Sequence, residues 1–385
     1  MPEPVKHFNE FQMGVREYDW QDFQERLRQR MPYTGKEDLN GKDLVVRHTW
    51  GLGDVIYSTP AIKAIKEKYP DVRLTYISVY PQILEGNPAV NNNCHNMQFE
   101  DFLDMSDQLK ASKWYFVNYD GPLKGGFNYK TNLRTKPGLN EYLYDLIRKD
   151  PKLLSHDELD FVNQAANTLT SRYKMIALDL YCAHLYVDPP NPKSIYYYPT
   201  NQELEFARKF LSSLKKRFKI ITLMPHTSTF FKDYPHWREV IKLCPYSYYW
   251  LILDGVNRGD TWLGTNVYNC AGAFNLRQSA AIIIEGDMCC SSDTGLLYVK
   301  AARGGKCIVT YGPHEPEPFL YYFPSAKGLR VPHVNGLRPD GGTTCSVGCY
   351  IDTTACRPGG GPPPCLDQLT PRLVADAIMS HMEAQ

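Results

Sequence analysis

The chain has 385 residues, of which 43% are hydrophobic and 22% are charged, and its formal net charge is +1. This length is too great for one ordinary hydrophobic core and predicts two domains, while the composition is that of a globular protein whose charge does not demand nucleic acid as a partner. No apolar run reaches the length of a transmembrane helix and the first residues lack the apolar core of a signal peptide, so we expect a cytoplasmic protein without a transmembrane segment.

The first half of the chain alternates strand-like and helix-like patterns, which is typical of βαβ units around a parallel sheet. Apolar runs predict the strands and helical periodicity predicts the helices. The predicted elements are helices at 20–30, 55–69, 139–149 and 157–185 and strands at 44–49, 73–79 and 114–119. The window 187–200 contains four prolines, which exclude a helix and indicate a linker or an extended crossing.

The α/β pattern starts again after this break. The predicted elements are helices at 201–217, 275–285 and 371–383 and strands at 219–224, 249–253, 287–290 and 307–311. The sequence therefore predicts an α/β protein of two parallel-sheet domains, 1–195 and 196–385. We expect the last helix to pack back across the cleft between them.

The most informative segment joins the first long strand to its helix through Gly51-Leu52-Gly53-Asp54. A glycine-rich turn lets a ligand approach the backbone, and the helix amino terminus behind it favours negative charge. Asp54 stands near the carboxyl end of a strand, where open α/β sheets carry their sites. The spacing alone favours a helix-capping role for Asp54 over a chemical one.

Two segments of the second half carry ligand signals of the same kind. Thr227 and Ser228 follow a strand, and their hydroxyls together with the cation of Lys232 suit a phosphate group. The segment Asp293-Thr294-Gly295 joins a short strand to a helix whose first amides suit an anion. Turn formation or helix capping explains Thr227 and Ser228 equally well, and a capped helix is the alternative for the second segment, because serine and aspartate both cap helices.

Eleven cysteines are present, and four of them crowd into the last part of the chain: Cys345, Cys349, Cys356 and Cys365. Four thiols in a protein from a reducing compartment suggest a tetrahedral zinc or iron site. Their spacing is looser than that of paired C-x-x-C motifs, and a cysteine-rich loop with no metal or with partial disulfides remains the alternative. The other seven lie in or beside apolar runs and are expected to be buried thiols.

Several motifs occur in a fixed order along roughly residues 43–380. They are GLGDVIYSTPAIKAIKEKYP, LEGNPAVNN, PHTS followed by Lys232 and Trp237, a long block centred on Asp293-Thr294-Gly295 and ending in Gly-Pro, and the cysteine-containing tail. In this order they resemble the lipopolysaccharide heptosyltransferase family, glycosyltransferase family 9. The resemblance implies a GT-B fold, in which two Rossmann-like domains face a cleft.

The resemblance also implies an activity, the transfer of a heptose-like sugar or a hexose from a nucleotide-diphosphate donor to an acceptor hydroxyl with inversion. Asp54 would be the general base. Gly53, Thr227, Ser228, Lys232 and the segment Asp293-Thr294-Gly295 would bind the donor. The acceptor would be a saccharide, a protein or a modified nucleic-acid base. No catalytic metal is implied, so the clustered cysteines would be structural or would support a homo-oligomer.

The sequence departs from the family pattern at two points. Tyr298 stands where the family often has histidine, and the acidic residue that commonly holds the donor ribose is not evident after Gly255, where Asp254 or Asp260 could replace it. Two other hypotheses stay open. One, which Tyr298 supports, is a non-catalytic nucleotide- or sugar-binding protein on a transferase-derived fold, and the other is a nucleotide-sugar epimerase of GT-B shape.

Overall fold

The structure is a computed structural model. It describes residues 31–32, 35–48, 51–95, 114–118, 176–227, 232–256, 258–262, 264–312, 316–331 and 363–384. The helices predicted at 20–30 and 139–149, and most of the one predicted at 157–185, lie outside these residues. Within the described ranges, no helix combines the length and the apolar character needed to cross a lipid bilayer.

The first half of the chain forms a sheet of five parallel strands in the order β1-β5-β2-β3-β4. The strands are β1 (Met31–Pro32), β2 (Asp43–His48), β3 (Arg73–Ser78), β4 (Asn92–His95) and β5 (Trp114–Asn118). Helix α1 (Leu52–Lys68) follows β2 and buries most of its side chains, and helix α2 (Ala177–His184) packs along it. A short 3₁₀ helix (Pro81–Leu84) follows β3.

The second half forms a separate sheet of six parallel strands in the order β11-β10-β9-β6-β7-β8. The strands are β6 (Lys219–Met224), β7 (Tyr248–Ile252), β8 (Val267–Asn269), β9 (Met288–Ser292), β10 (Lys306–Thr310) and β11 (Ala326–Leu329). Helices accompany them at α3 (Asn201–Lys215), α4 (Trp237–Leu243), α5 (Leu276–Glu285), α6 (Leu296–Ala301), α7 (Glu317–Leu320), α8 (Pro364–Asp367) and α9 (Pro371–Glu383).

These two sheets confirm the predicted parallel α/β class. Residues 187–200 contain no helix or strand, as the prolines there predict. Helix α3 begins directly after this linker with a capping box, in which Thr200 accepts from the Glu203 amide and the Glu203 side chain accepts from the Thr200 amide. The exact domain boundary between 195 and 196 stays a prediction.

The last helix, α9, has the predicted bounds but not the predicted packing. Its buried residues Val374, Ala375 and Ile378 join the apolar cluster of Trp237 and Trp250 on the second sheet. Among the described residues, its main neighbours are α4 and β10. The expectation that it packs back across the cleft is therefore wrong, because its apolar stripe is already covered by the second sheet.

Arg277 links the two halves of the chain. Its guanidinium, 7% exposed, binds Glu203 and donates to the carbonyls of Gln82 (3.0 Å), Glu85 (3.1 Å) and Tyr198 (2.9 Å). The 3₁₀ helix of the first half and the linker thus share one buried cation with α3 and α5 of the second. A buried cation satisfied in this way fixes the relative position of the segments it joins.

Candidate active site

The site residues follow the carboxyl ends of strands from both sheets, where open parallel sheets place their ligands. Asp54 comes after β2, Lys232 after β6, Asp254 after β7 and Asp293 after β9. The fold therefore brings together side chains that are far apart in the sequence, Asp54 and Asp293 being separated by 239 positions.

Asp54 lies in the first turn of α1, but it does not cap the helix. The capping position is Gly51, with no side-chain cap, and the Asp54 amide donates to the Gly51 carbonyl at 3.0 Å. The carboxylate instead accepts a hydrogen bond at Oδ1 from the Tyr181 hydroxyl of α2, at 2.8 Å. The capping role that the spacing favours for Asp54 is thus wrong, because the chain enters the helix three residues earlier.

The surroundings of Asp54 favour its protonated form more than water does. Burial raises the pKa of its carboxyl group, and the negative charge of Asp293 raises it further. The hydrogen bond from Tyr181 and the positive charge of Lys232 oppose this shift, but the net change in pKa is upward. A carboxylate with a raised pKa, partly buried and turned toward a second domain, is suited to proton transfer.

Lys232 and Asp293 form an ion pair opposite Asp54. Lys232 Nζ lies 3.1 Å from Asp293 Oδ2, and their side chains are 18% and 9% exposed. The other oxygen of Asp293 accepts from the Tyr298 hydroxyl at 3.0 Å, and that hydroxyl lies 3.1 Å from the Tyr311 hydroxyl. Tyr298 therefore holds Asp293 in place.

Gly53 and Gly295 bring the two halves into backbone contact. A Cβ atom on Gly295 would lie 2.6 Å from the Gly53 amide nitrogen and 2.9 Å from the carbonyl carbon of Leu52. Gly295 is also the capping position of α6 and has no side-chain cap, so the capping interpretation of Asp293 is wrong as well. Two helix amino termini, each of which favours negative charge, thus meet beside Asp54 and Asp293.

Thr227, Lys232 and the backbone of Asp293, Thr294 and Gly295 are all described, and Ser228 lies outside the described residues. Thr227 is buried, and its amide donates to Asp233 Oδ1 at 2.6 Å. Thr294 is partly exposed beside the Lys232–Asp293 pair. The structure therefore places the described donor residues of the second half beyond the carboxyl ends of central strands of the second sheet.

A histidine network next to Thr227 was not identified from the sequence. His226 Nδ1 lies 3.2 Å from Asp233 Oδ2, and its Nε2 lies 2.6 Å from Asp260 Oδ2. Burial lowers the pKa of His226, but the hydrogen bonds to the two carboxylates outweigh it and the net shift is upward. Asp260, which also binds Arg238, is thus already engaged by cations.

Asp254 differs from Asp260 in the hydrogen bonding of one carboxylate oxygen. Its Oδ2 is buried and has no hydrogen-bond partner among the described residues, with Arg258 Nε 3.8 Å away. Burial raises the pKa of this carboxyl group, while the nearby His226 and Arg258 lower it. Of the two acids named from the sequence, Asp254 is the one available to a ligand hydroxyl.

Aromatic side chains lie around Asp54, and only Tyr298 among them was named from the sequence. The ring of Tyr181 stacks against Tyr57 at 6.4 Å and lies 5.5 Å from the His48 ring. Tyr57 in turn meets Tyr298 edge-on at 4.7 Å. No local pattern marks these residues, because the contacts join α1 to distant elements.

The cysteine tail is described only at Cys365, which is buried in the apolar cluster of the second sheet. Cys345, Cys349 and Cys356 lie outside the described residues. In the ranges that are described, no group of three or more His, Cys, Asp or Glu side chains could hold a metal ion. The predicted metal site thus stays a prediction.

The sequence matches the model of one protein family, and the fold matches solved structures. The sequence model of glycosyltransferase family 9 (heptosyltransferase) matches residues 161–351. A search of curated proteins finds no match. The matched residues include the strands that carry Lys232, Asp254 and Asp293.

Solved structures share the fold at low identity. The glycosyl transferase family 9 protein from Veillonella parvula DSM 2008 is 16% identical with a TM-score of 0.58, covering 90% of this chain and 99% of that one. The ADP-heptose LPS heptosyltransferase II of E. coli is 17% identical with a TM-score of 0.56, over 89% and 98%. The iron-containing dodecameric glycosyltransferase TibC from enterotoxigenic E. coli H10407 is 12% identical with a TM-score of 0.53, over 91% and 77%. The two-sheet architecture is therefore that of GT-B-like glycosyltransferases.

Proposed function

We propose that the chain is a heptosyltransferase-like glycosyltransferase of family 9, whose model matches residues 161–351, and that it transfers a heptose-like sugar or a hexose with inversion. The donor is a nucleotide-diphosphate sugar, and the acceptor is a hydroxyl group. The observation that carries this proposal is the position of Asp54, a carboxylate of raised pKa that faces the Lys232–Asp293 pair across the contact between the two sheets.

The reaction we propose is a single displacement. The acceptor oxygen attacks the anomeric carbon while Asp54 takes the proton of the acceptor hydroxyl. The bond from the anomeric carbon to the diphosphate breaks, and its electron pair leaves with the diphosphate oxygen. Attack from the face opposite the leaving group inverts the configuration at the anomeric carbon.

The second sheet would bind the donor. Lys232, Thr227 and the backbone amides near Asp293, Thr294 and Gly295 are placed to stabilise the charge that develops on the departing diphosphate. We include Ser228 and Gly53 in this proposed donor site because they lie in the sequence motifs that resemble those of the family.

The ribose of the donor is assigned to Asp254. Its Oδ2 has no hydrogen-bond partner among the described residues, whereas Asp260 already binds His226 and Arg238. A buried acceptor oxygen without a donor is costly, and a ribose hydroxyl would supply that donor.

The acceptor would bind to the first half of the chain, near Asp54. A saccharide, a protein and a modified nucleic-acid base all offer a suitable nucleophile, and the aromatic rings around Asp54 suit the flat faces of sugars and bases alike. We place the reaction in the cytoplasm, because free thiols are typical of a reducing compartment. The described free thiols are those of Cys94, Cys182, Cys244, Cys270, Cys289, Cys290 and Cys307.

The cysteine tail is proposed as a structural metal site. Four thiolates, from Cys345, Cys349, Cys356 and Cys365, suit zinc or iron and leave no open position for a substrate. TibC contains iron and is dodecameric, which supports testing this chain for a metal and for a homo-oligomer. The metal would restrain the Gly- and Pro-rich segment 357–364 and take no part in catalysis.

A panel of ADP-, UDP- and GDP-sugars tests the proposed function. The protein is incubated with each, and binding, nucleotide release and sugar products are measured by mass spectrometry. Release of nucleoside diphosphate from one donor, increased by an acceptor, supports the transferase. Binding without release would indicate the non-catalytic protein that Tyr298 in place of histidine favours, and an isomerised nucleotide sugar would indicate an epimerase.

A further inference from the structure

Tyr181 makes the only side-chain hydrogen bond to Asp54 within the described part of the chain. Its hydroxyl donates to Oδ1 at 2.8 Å, from a helix 127 positions further along the sequence. Helix α2 packs along α1, so the two side chains meet because of helix packing and not because of local sequence. Asp54 Oδ2 lies on the side of Gly51, and no other described side chain donates a hydrogen bond to it.

The ring of Tyr181 is held on two sides. It stacks on Tyr57 with an interplanar angle of 18° and lies against His48 at 35°. Stacked aromatic rings restrict the direction of the hydroxyl group, since a tyrosine has only two side-chain torsions. The hydroxyl is therefore aimed at the carboxylate by packing before any substrate binds.

We propose that Tyr181 is a positioning residue for Asp54: it holds Oδ1 so that Oδ2 faces the hydroxyl of the acceptor. This inference rests on the proposed function, in which Asp54 is the base. Fixing one oxygen removes a rotational freedom of the carboxylate, and pre-organisation of this kind accelerates a reaction without any contact to the substrate.

The hydrogen bond also favours the ionised form of the base, because it lowers the pKa of Asp54. The groups facing Asp54 are Tyr181 from α2, Lys232 and Asp293 from the second half, Tyr57 from α1 itself and Tyr80 after β3. Burial raises the pKa of Asp54, and Tyr181 makes the largest opposing contribution. Removing its hydroxyl should therefore raise that pKa further, so that the base is protonated at a higher pH.

The test is the pH dependence of kcat/KM for Tyr181→Phe, with the nucleotide sugar that the wild-type enzyme turns over fastest in the panel. Phenylalanine keeps the ring and its stacking, so thermal unfolding should stay close to that of the wild type. We expect the acid limb of the profile to move up by about one pH unit, the shift that corresponds to losing a hydrogen bond to a charged group. KM for the donor should not change.

Tyr80→Phe is the matched control. Tyr80 lies near the same carboxylate, and its hydroxyl makes no hydrogen bond to Asp54, so its removal should leave the acid limb in place. An unshifted limb in Tyr181→Phe, or an equal shift in both variants, would overturn the positioning role.

Asp54→Asn separates this inference from the proposed function. If Asp54→Asn loses transfer while Tyr181→Phe keeps the wild-type profile, only the role of Tyr181 is overturned. If Asp54→Asn keeps transfer, or no nucleotide sugar of the panel is turned over, the base role fails and the positioning role fails with it.

Discussion

Replacing Gly295 with alanine would place a methyl group inside the contact between the two halves of the chain. The Cβ atom would lie 2.6 Å from the Gly53 nitrogen and 2.9 Å from the Leu52 carbonyl carbon, well inside the 3.4 Å at which ordinary contact begins. Both neighbours are backbone atoms at the start of α1, which cannot swing aside as a flexible side chain would. The backbone of Gly295 is helical, with φ −62°, so the substitution adds no torsional strain of its own.

The cost of Gly295→Ala follows from overpacking, which destabilises by about 1–3 kcal/mol. Relief of the clash requires α1 and α6 to separate, which would move Asp54 away from the Lys232–Asp293 pair. A displacement on the order of 1 Å at reacting groups can cost about 100-fold in rate. We therefore expect Gly295→Ala to lower both the unfolding temperature and kcat/KM.

Thermal unfolding and transfer kinetics measure these two effects, and Gly53→Ala is the matched control for stability. A Cβ atom on Gly53 would lie 3.5 Å from the Gly295 Cα atom, an ordinary contact, and α1 should gain from alanine in its first turn. Wild-type stability and wild-type kinetics in Gly295→Ala would refute the reasoning, because the two backbones would then not approach as described.

Two further predictions concern charge and metal. In calorimetric titrations, Lys232→Ala should weaken binding of a nucleoside diphosphate far more than binding of the bare nucleoside, since a single cation acts mainly on the diphosphate charge. Equal losses of affinity for the two ligands would mean that the lysine supports the fold through Asp293. Protein purified without chelator should carry about one equivalent of zinc or iron per chain, as a site of four thiolates requires. The site would be excluded if elemental analysis found almost no metal and thiol titration detected all four cysteines: Cys345, Cys349, Cys356 and Cys365.

The central strands of both sheets could be predicted because they are continuous apolar runs. The strand predicted at 219–224 has those bounds in the structure, and the ones at 44–49 and 307–311 are each displaced by one residue. The short strands β4, β8 and β11 were missed, since three or four residues at or near a sheet edge carry little periodicity.

The candidate site could be predicted only in part, for a reason that Asp54 and Tyr181 illustrate. Each motif placed a charged side chain after a strand, and parallel topology was enough to bring Lys232 and Asp293 to the carboxyl ends of the second sheet and Asp54 to the carboxyl end of the first. Tyr181, the partner that tunes Asp54, comes from the packing of two helices that share no local sequence pattern. Tyr298 lies only five residues after Asp293, but its position in the sequence did not indicate the hydrogen bond between them. The capping role that spacing alone favoured for Asp54, and the capping alternative for the Asp293 segment, are wrong because glycines occupy the capping positions.

The transfer rate of Asp54→Asn tests the central claim most directly. Asparagine keeps the size of the side chain and can still accept from Tyr181, but it cannot take a proton. The account predicts a wild-type unfolding temperature, unchanged affinity for the donor and a transfer rate reduced by roughly 10²–10⁴, the usual contribution of a general base. Near-normal turnover in this variant would contradict the account, because Asp54 would then hold structure and not move a proton.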